Sequence, residues 1–310
     1  MIKCRFRLIA SKVYYFVYFK TVRLYVRLLH LYNLVTRKII IIDGFIYEDK
    51  NRIIKRHNLG DDINIPLLEK LTGRKVRLFN TYPIKNVSRL MAIGSIVEYY
   101  SSQHSIIWGS GAIRGDVGIK EKPLKVLAVR GKLTKEYLEG QGVPCPEVYG
   151  DPALLMPLIF KPTVLKKYKI GFIPHYVDYD LPHVIEFRNT HPNILFIRFA
   201  NYSSWEDVIR QICSCERIVS SSLHGLILAD AYHIPNVWVR FSDKITGGEF
   251  KYKDYFSGVG RNYVSPVDCT RTIELSKIMD NYNNFIPINP DLTSLLKVFP
   301  YKVNKKYRLK

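Results

Sequence analysis

An α/β chain made of two nucleotide-binding-like halves is the fold class this sequence predicts, and three observations carry the prediction. Short apolar runs alternate with helix-period segments along most of the chain; the alternation restarts after a proline-bearing segment; and 47% of the 310 residues are hydrophobic, enough for a sizeable core. Alternation of this kind favours parallel sheets wrapped by helices, with ligands held in the cleft between the halves.

The elements follow in order. Lys38 to Ile42 reads as a strand, Ile63 to Leu71 as a helix, and Val76 to Phe79, Leu90 to Ile93 and Ile106 to Trp108 as strands; Val126 to Val129 is a further strand, followed by a helix over Leu133 to Glu139. Asp151-Pro152 through Lys161-Pro162 then interrupts the pattern and places a domain boundary near residue 160. The second half restarts with strand Lys169 to Ile173, helix Pro182 to Arg188, strand Ile194 to Ile197 and helix Trp205 to Cys213 with Ser204 as its N-cap. Strands Ile218 to Ser220 and Asn236 to Val239, a helix over Leu226 to Ala231, and helices near Thr272 to Asp280 and Asp291 to Val298 complete it. The expected organisation is a leader over 1–37, a first Rossmann-like domain over 38–160 and a second over 161–310.

The formal charge of +20 is concentrated at the ends. Residues 1–60 carry 13 Lys/Arg against 3 Asp/Glu, and the last ten residues carry 5 basic side chains and no acid, which leaves only +5 for everything between. On a helix over Met1 to Val35, Arg5, Lys12, Lys20, Arg23, Arg27 and His30 fall within an arc of roughly 80°, and aromatic and aliphatic residues fill most of the rest. Such a leader fits a bilayer surface, with rings at the headgroup boundary and cations against anionic lipid. Charges break every apolar run before it could span a membrane or serve as a secretory signal, so the expected place is the cytoplasm, peripheral at the inner face of the membrane. Nucleic acid is not an expected partner, because charge alone supports it and no recognition motif accompanies the charge. Five cysteines without framework spacing suit a reducing compartment, and no Cys/His spacing supports a metal.

Candidate chemistry gathers at strand ends. Ser220-Ser221-Ser222-Leu223-His224-Gly225 breaks a strand into a serine-lined turn and opens a helix with a histidine in its first turn. Free N–H groups and the positive end of the helix dipole suit a phosphate or carboxylate there. Asn58-Leu59-Gly60-Asp61-Asp62 reads as a turn before a helix, able to hold a hydroxyl-bearing acceptor or simply to cap. Gly109 and Ser110 follow the strand ending at Trp108 and leave room for a ligand, but a GxG lacking its third glycine excludes a nicotinamide cofactor. Arg130 ends the strand before the helix at Leu133, where a guanidinium can point into the cleft or form a surface ion pair. Lys244 lies in the polar loop Arg240 to Gly248, beyond another strand end.

Taken in order, these pieces resemble the polysaccharide pyruvyltransferase family. The resemblance runs from about Arg56 to Phe256 and rests on Asn58-Leu59-Gly60-Asp61-Asp62, Trp108-Gly109-Ser110-Gly111, Val129-Arg130-Gly131, Gly150-Asp151-Pro152-Ala153, Ser222-Leu223-His224-Gly225 and Lys253-Asp254-Tyr255. It implies a GT-B-like arrangement of two Rossmann-like domains. It also implies a reaction in which phosphoenolpyruvate, as co-substrate and without a further cofactor, gives its pyruvyl group to two sugar hydroxyls as a ketal in cell-surface polysaccharide biosynthesis. Donor binding would fall on Arg130, His224 and Lys244, with Ser221, Ser222 and Gly225 at the helix start, and proton transfer on His224. Asn58, Gly60, Asp61, Asp62, Gly109 and Ser110 would face the acceptor, a sugar or lipid-linked oligosaccharide. A GT-B glycosyltransferase with a nucleotide-sugar donor shares this architecture and is the alternative.

Overall fold

The computed structural model describes residues 21, 24, 28, 32, 36, 38–48, 54–56, 58–81, 84, 86–262, 265–282 and 285–308. By contacts the chain forms two compact units, Met1–Ile40 and Ile41–Lys310. In the first, Thr21, Leu24, Leu28 and Tyr32 are helical, with Leu24, Leu28 and Tyr32 exposed. The basic stripe expected at Arg5, Lys12, Lys20, Arg23, Arg27 and His30 lies outside the described residues. Among the described residues no helix is long and apolar enough to cross a membrane.

The strands are β1 (Ile39–Ile42), β2 (Tyr47–Glu48), β3 (Ile54–Arg56), β4 (Lys75–Leu78), β5 (Arg89–Met91), β6 (Ser105–Trp108), β7 (Lys125–Ala128), β8 (Tyr168–Ile173), β9 (Leu195–Phe196), β10 (Cys215–Ser220), β11 (Asn236–Arg240) and β12 (Val267–Asp268). Two parallel five-stranded sheets hold ten of them, in the orders β4-β1-β5-β6-β7 and β12-β11-β10-β8-β9. Numbered within its own half, each sheet has the order 2-1-3-4-5, so one doubly wound topology occurs twice without sequence repetition. The apolar runs explain the central strands. All four isoleucines of β1 are buried, as a strand covered on both faces requires. The helix Trp205–Cys213 is one-sided: it buries Val208, Ile209 and Ile212, turns Glu206, Asp207 and Arg210 away from the core, and begins where Ser204 accepts the Asp207 N–H at 3.3 Å.

Most expected elements stand within a few residues of their predicted limits. Several features differ, among them the short strands β2, β3 and β12 and the one-turn helices Val97–Tyr100 and Met156–Ile159, which the pattern does not predict. Asn58–Asp62 is a helical turn over Leu59–Asp62, closed by its own acids, since Asp62 Oδ2 accepts the Asn58 N–H at 3.0 Å and Asp61 Oδ2 accepts the Asn58 amide at 2.5 Å. The helix after β10 starts at Leu223, three residues early, after a turn in which Ser220 Oγ accepts the Ser222 N–H at 3.0 Å and bonds to the Ser222 carbonyl at 2.9 Å. A helix over Phe250–Gly258, whose mixed aromatic and charged sequence has weak periodicity, went unanticipated. The terminal helix Leu292–Lys297 returns to the first half, where Trp108 donates its indole N–H to the Leu295 carbonyl at 2.8 Å and stacks its ring near Phe299.

Candidate active site

Both sheets direct the carboxyl ends of their central strands into one cavity of about 460 Å³. In a 2-1-3-4-5 sheet the crevice opens between the first and third strands, where the chain leaves in opposite directions. In the second half these are β8 and β10, which deliver His175 and the Ser222–His224 segment; in the first they are β1 and β5, which deliver Phe45 and Ser95. Asn58, Asp61 and Lys251 complete the polar lining, and Tyr99, Tyr100, Ile96, Ile113 and Tyr176 form an apolar and aromatic wall.

The turn beyond β10 is fixed from below. Ser221 is fully buried; its hydroxyl donates to Asp178 Oδ2 at 2.9 Å and accepts the His175 N–H at 2.8 Å, while Tyr252 donates to the Ser221 carbonyl at 2.6 Å. Ser221 therefore holds the turn, and Ser222 is the serine that reaches the cavity. The first N–H groups of the nine-residue helix Leu223–Ala231 lie at this edge. Gly225 supports the same geometry, since a Cβ there would stand 2.2 Å from Ser220 Oγ.

His224 joins the two halves at the cavity floor. A Cβ on Gly60 would meet His224 Nδ1 at 2.1 Å, so only glycine lets the Leu59–Asp62 turn lie against the ring. On the other side Nε2 faces Asp151 Oδ2 at 3.8 Å, and neither atom has a hydrogen-bond partner among the described residues. Burial, reinforced by Arg130, Lys251 and His175, holds the imidazole down to about 3, while burial lifts the Asp151 carboxyl to about 7. His175 is likewise held down to about 3 by burial and then by Lys251. The cavity thus presents neutral imidazoles beside a carboxyl that titrates near neutrality.

Asp61 is raised to about 7 by burial and by its neighbour Asp62. Asp62 itself sits behind the wall, where Tyr202 donates to it at 2.6 Å. Gly109 and Ser110 are also structural neighbours of the site. Gly109 has φ +87 and packs so closely that a Cβ would stand 2.4 Å from Pro152, and the buried Ser110 hydroxyl donates to the Gly94 carbonyl at 2.8 Å.

Arg130 is 0% exposed and lies one layer behind the cavity. Its Nε pairs with Asp254 Oδ2 at 2.8 Å, and its terminal nitrogens donate to Ser95 Oγ and the Ala112 carbonyl. Asp254 also accepts the Thr134 N–H and hydroxyl, both at 2.7 Å, so the pair locks the helix Phe250–Gly258 of the second half to the end of β7 in the first. Through Ser95, a lining residue, the guanidinium still bears on the cavity.

Lys244 is exposed and outside the lining; its backbone N–H donates to Ser242 Oγ. Among the described lining residues the lysine or arginine is Lys251, seven positions further along, which sequence reasoning missed. It is 8% exposed and forms no ion pair within 4 Å among the described residues, and burial, then Arg130, brings its ammonium down to about 8. Its position two residues before the Lys253-Asp254-Tyr255 motif was the available signal. Asp151 was likewise visible only as part of a motif. Among the described residues no group of three or more His, Cys, Asp or Glu side chains is arranged to hold a metal ion.

A family model described as polysaccharide pyruvyl transferase matches residues 58–243, which include the Asn58–Asp62 turn, Arg130, Asp151 and His224. The chain is 31% identical over 268 residues to an uncharacterized protein of Acanthamoeba polyphaga mimivirus, covering 83% of this chain and 87% of that protein. It is 30% identical over 219 residues to the succinoglycan biosynthesis protein ExoV of Rhizobium meliloti, covering 66% of this chain and 63% of that one. No solved structure matches the chain.

Proposed function

Because this chain belongs to the polysaccharide pyruvyl transferase family, we propose that it moves the pyruvyl group of phosphoenolpyruvate onto two hydroxyls of a saccharide as a ketal, in polysaccharide biosynthesis. The observation that carries the reading is the convergence of the Leu223–Ala231 helix start, His224 and Lys251 on one cavity. That set suits a small molecule bearing both a phosphate and a carboxylate. Free helix N–H groups and a buried ammonium stabilise anions without a metal, and they act more strongly where water is excluded.

Lys251 takes the donor's charge in this reading, and Arg130 adds a fixed field from behind Ser95. Asp61 accepts a proton or hydrogen bond from an acceptor hydroxyl. Ketal formation places a proton on the methylene carbon of the enol ester while one sugar hydroxyl attacks the neighbouring carbon. The second hydroxyl then displaces phosphate, which leaves with the C–O electron pair. One hydroxyl proton replaces the proton given to carbon, and the other departs with phosphate. An imidazole held neutral can pass a proton by taking one at Nε2 and giving one at Nδ1, and Asp151 supplies the carboxyl on the Nε2 side. The aromatic wall of Tyr99, Tyr100 and Tyr176 offers flat faces to a sugar ring. The repeated strand order and shared cavity support a GT-B-like arrangement. The basic stripe of the leader, with exposed Leu24, Leu28 and Tyr32, supports attachment to an anionic membrane surface and a lipid-linked acceptor.

The test is incubation with phosphoenolpyruvate and candidate lipid-linked oligosaccharides, followed by mass spectrometry and phosphate assay. The expected product gains one ketal-linked pyruvyl group per phosphate released. Thermal stabilisation by a nucleotide-sugar with none by phosphoenolpyruvate would overturn the donor assignment. Flotation with anionic vesicles, with and without residues 1–35, tests the leader.

A further inference from the structure

A second hollow of about 220 Å³ lies at the carboxyl edge of the first sheet, beyond the ends of β1 and β4. Tyr99 and Tyr100 line both it and the main cavity, so the two are separated by one aromatic wall. We infer that this hollow is a saccharide subsite, holding the sugar residue next to the one that sits in the main cavity. The inference rests on the reading of the acceptor as an oligosaccharide and extends it.

The chemistry of the lining selects the ligand. Asp43, directly after β1, has its carboxylate buried, and Oδ2 lies 3.5 Å from Arg89 Nε. Neither atom has a hydrogen-bond partner among the described residues. A buried donor and a buried acceptor facing each other without a hydrogen bond are costly unless a third group satisfies both. A hydroxyl can do this, because it donates to the carboxylate and accepts from the guanidinium. Arg89 is held for the task, with its guanidinium 4.0 Å over the Phe79 ring and a terminal nitrogen on the Ser102 hydroxyl. A phosphate or carboxylate would meet Asp43, and a cation would meet Arg89 and Lys120, which also lines the hollow. A neutral polyhydroxylated ring avoids both conflicts. At about 30 Å³ per water the hollow has space for about seven waters, which suits one ring and not a chain. Burial raises the Asp43 carboxyl to about 6 against the opposing pull of Arg89 and Lys120, so it is an ionised acceptor above that pH.

A glycan array spanning mono- to tetrasaccharides, probed with the full-length protein, tests the subsite. The wild-type chain is expected to retain at least one di- or longer saccharide about tenfold more strongly than its terminal monosaccharide. Asp43→Asn should remove that preference while leaving the monosaccharide signal, and Lys120→Ala, at an exposed position, should reduce it about threefold. Equal retention of mono- and longer saccharides by the wild type overturns the inference, as does a preference that survives in both variants. If Asp43→Asn fails to fold, Lys120→Ala decides. Stabilisation by phosphoenolpyruvate, measured on the same proteins, reports on the donor site alone. Loss of length preference with an intact donor response separates the subsite from the reaction, and absence of any donor response in the wild type would sink the donor assignment without touching the array result.

Discussion

The two sheets share one strand order but present opposite chemistry at their carboxyl edges. The second half offers donors and cations: the start of the Leu223–Ala231 helix, two histidines held neutral by burial, and Lys251. The first half offers Asp61 and Asn58 to the main cavity, and sets Asp43 with Arg89 and Lys120 around the hollow beside it; burial raises both carboxyls. Topology sets where a cleft opens, and the few residues following each strand set what it binds. The proposed split between an anionic donor and a hydroxylated acceptor rests on that division.

The sharpest way to break the comparison is to unlock the halves. Arg130→Ala should strand Asp254 as an unpaired charge in the core and cost about 3–5 kcal/mol of stability, read by denaturant unfolding. A change below about 1 kcal/mol would mean that this pair does not join the two sides.

Next in size is the cationic half itself. Lys251→Met should lower turnover by about 100- to 1,000-fold, comparable to removing one preorganised oxyanion donor, with the unfolding midpoint unchanged or raised, because a buried unpaired ammonium is gone. The pH profile sharpens this. Lys251 is a cation below about 8 and neutral above it, so kcat/KM should fall as pH rises through about 8, and Lys251→Arg should move that limb upward. A limb unmoved in the arginine variant assigns the titration elsewhere.

Gly60→Ala tests the contact between the Leu59–Asp62 turn and His224. Its new methyl group would displace His224, and a misplacement of about 1 Å can cost about 100-fold in rate. Stability measured beside activity separates ring displacement from misfolding. The smallest effect is the control: Ser204→Ala removes an N-cap remote from the cavity lining and should cost about 1 kcal/mol with turnover unchanged.

Much of the fold was legible because it is written in local pattern. The four isoleucines of β1 identify themselves as a continuous β-branched run, and Trp205–Cys213 by the period of its apolar face. Phe250–Gly258 does not, because it faces several partners at once: Lys251 reaches the cavity, Tyr252 the Ser221 carbonyl, and Asp254 the Arg130 guanidinium. A helix that buries residues in several directions has no single stripe to read. The site divides in the same manner. Ser222, His224, Asn58 and Asp61 were found at the cavity by motif and by strand-end logic. Asp62, Ser110 and Ser221, expected beside them, lie behind the wall with partners of their own, since a motif gives a residue's address but not the direction of its side chain.

The sequence by itself determined the α/β class, the order of the central strands along the chain and the uneven charge of the ends, because apolar runs, period and composition act within a few residues. Only the tertiary structure decided that both strand edges open on one cavity, that Arg130 stands behind it while Lys251 lines it, and that Asp151 faces His224. Those relations join residues from about 70 to more than 120 positions apart, and burial, which sets the charge of each group, exists only once the two sheets have closed around it.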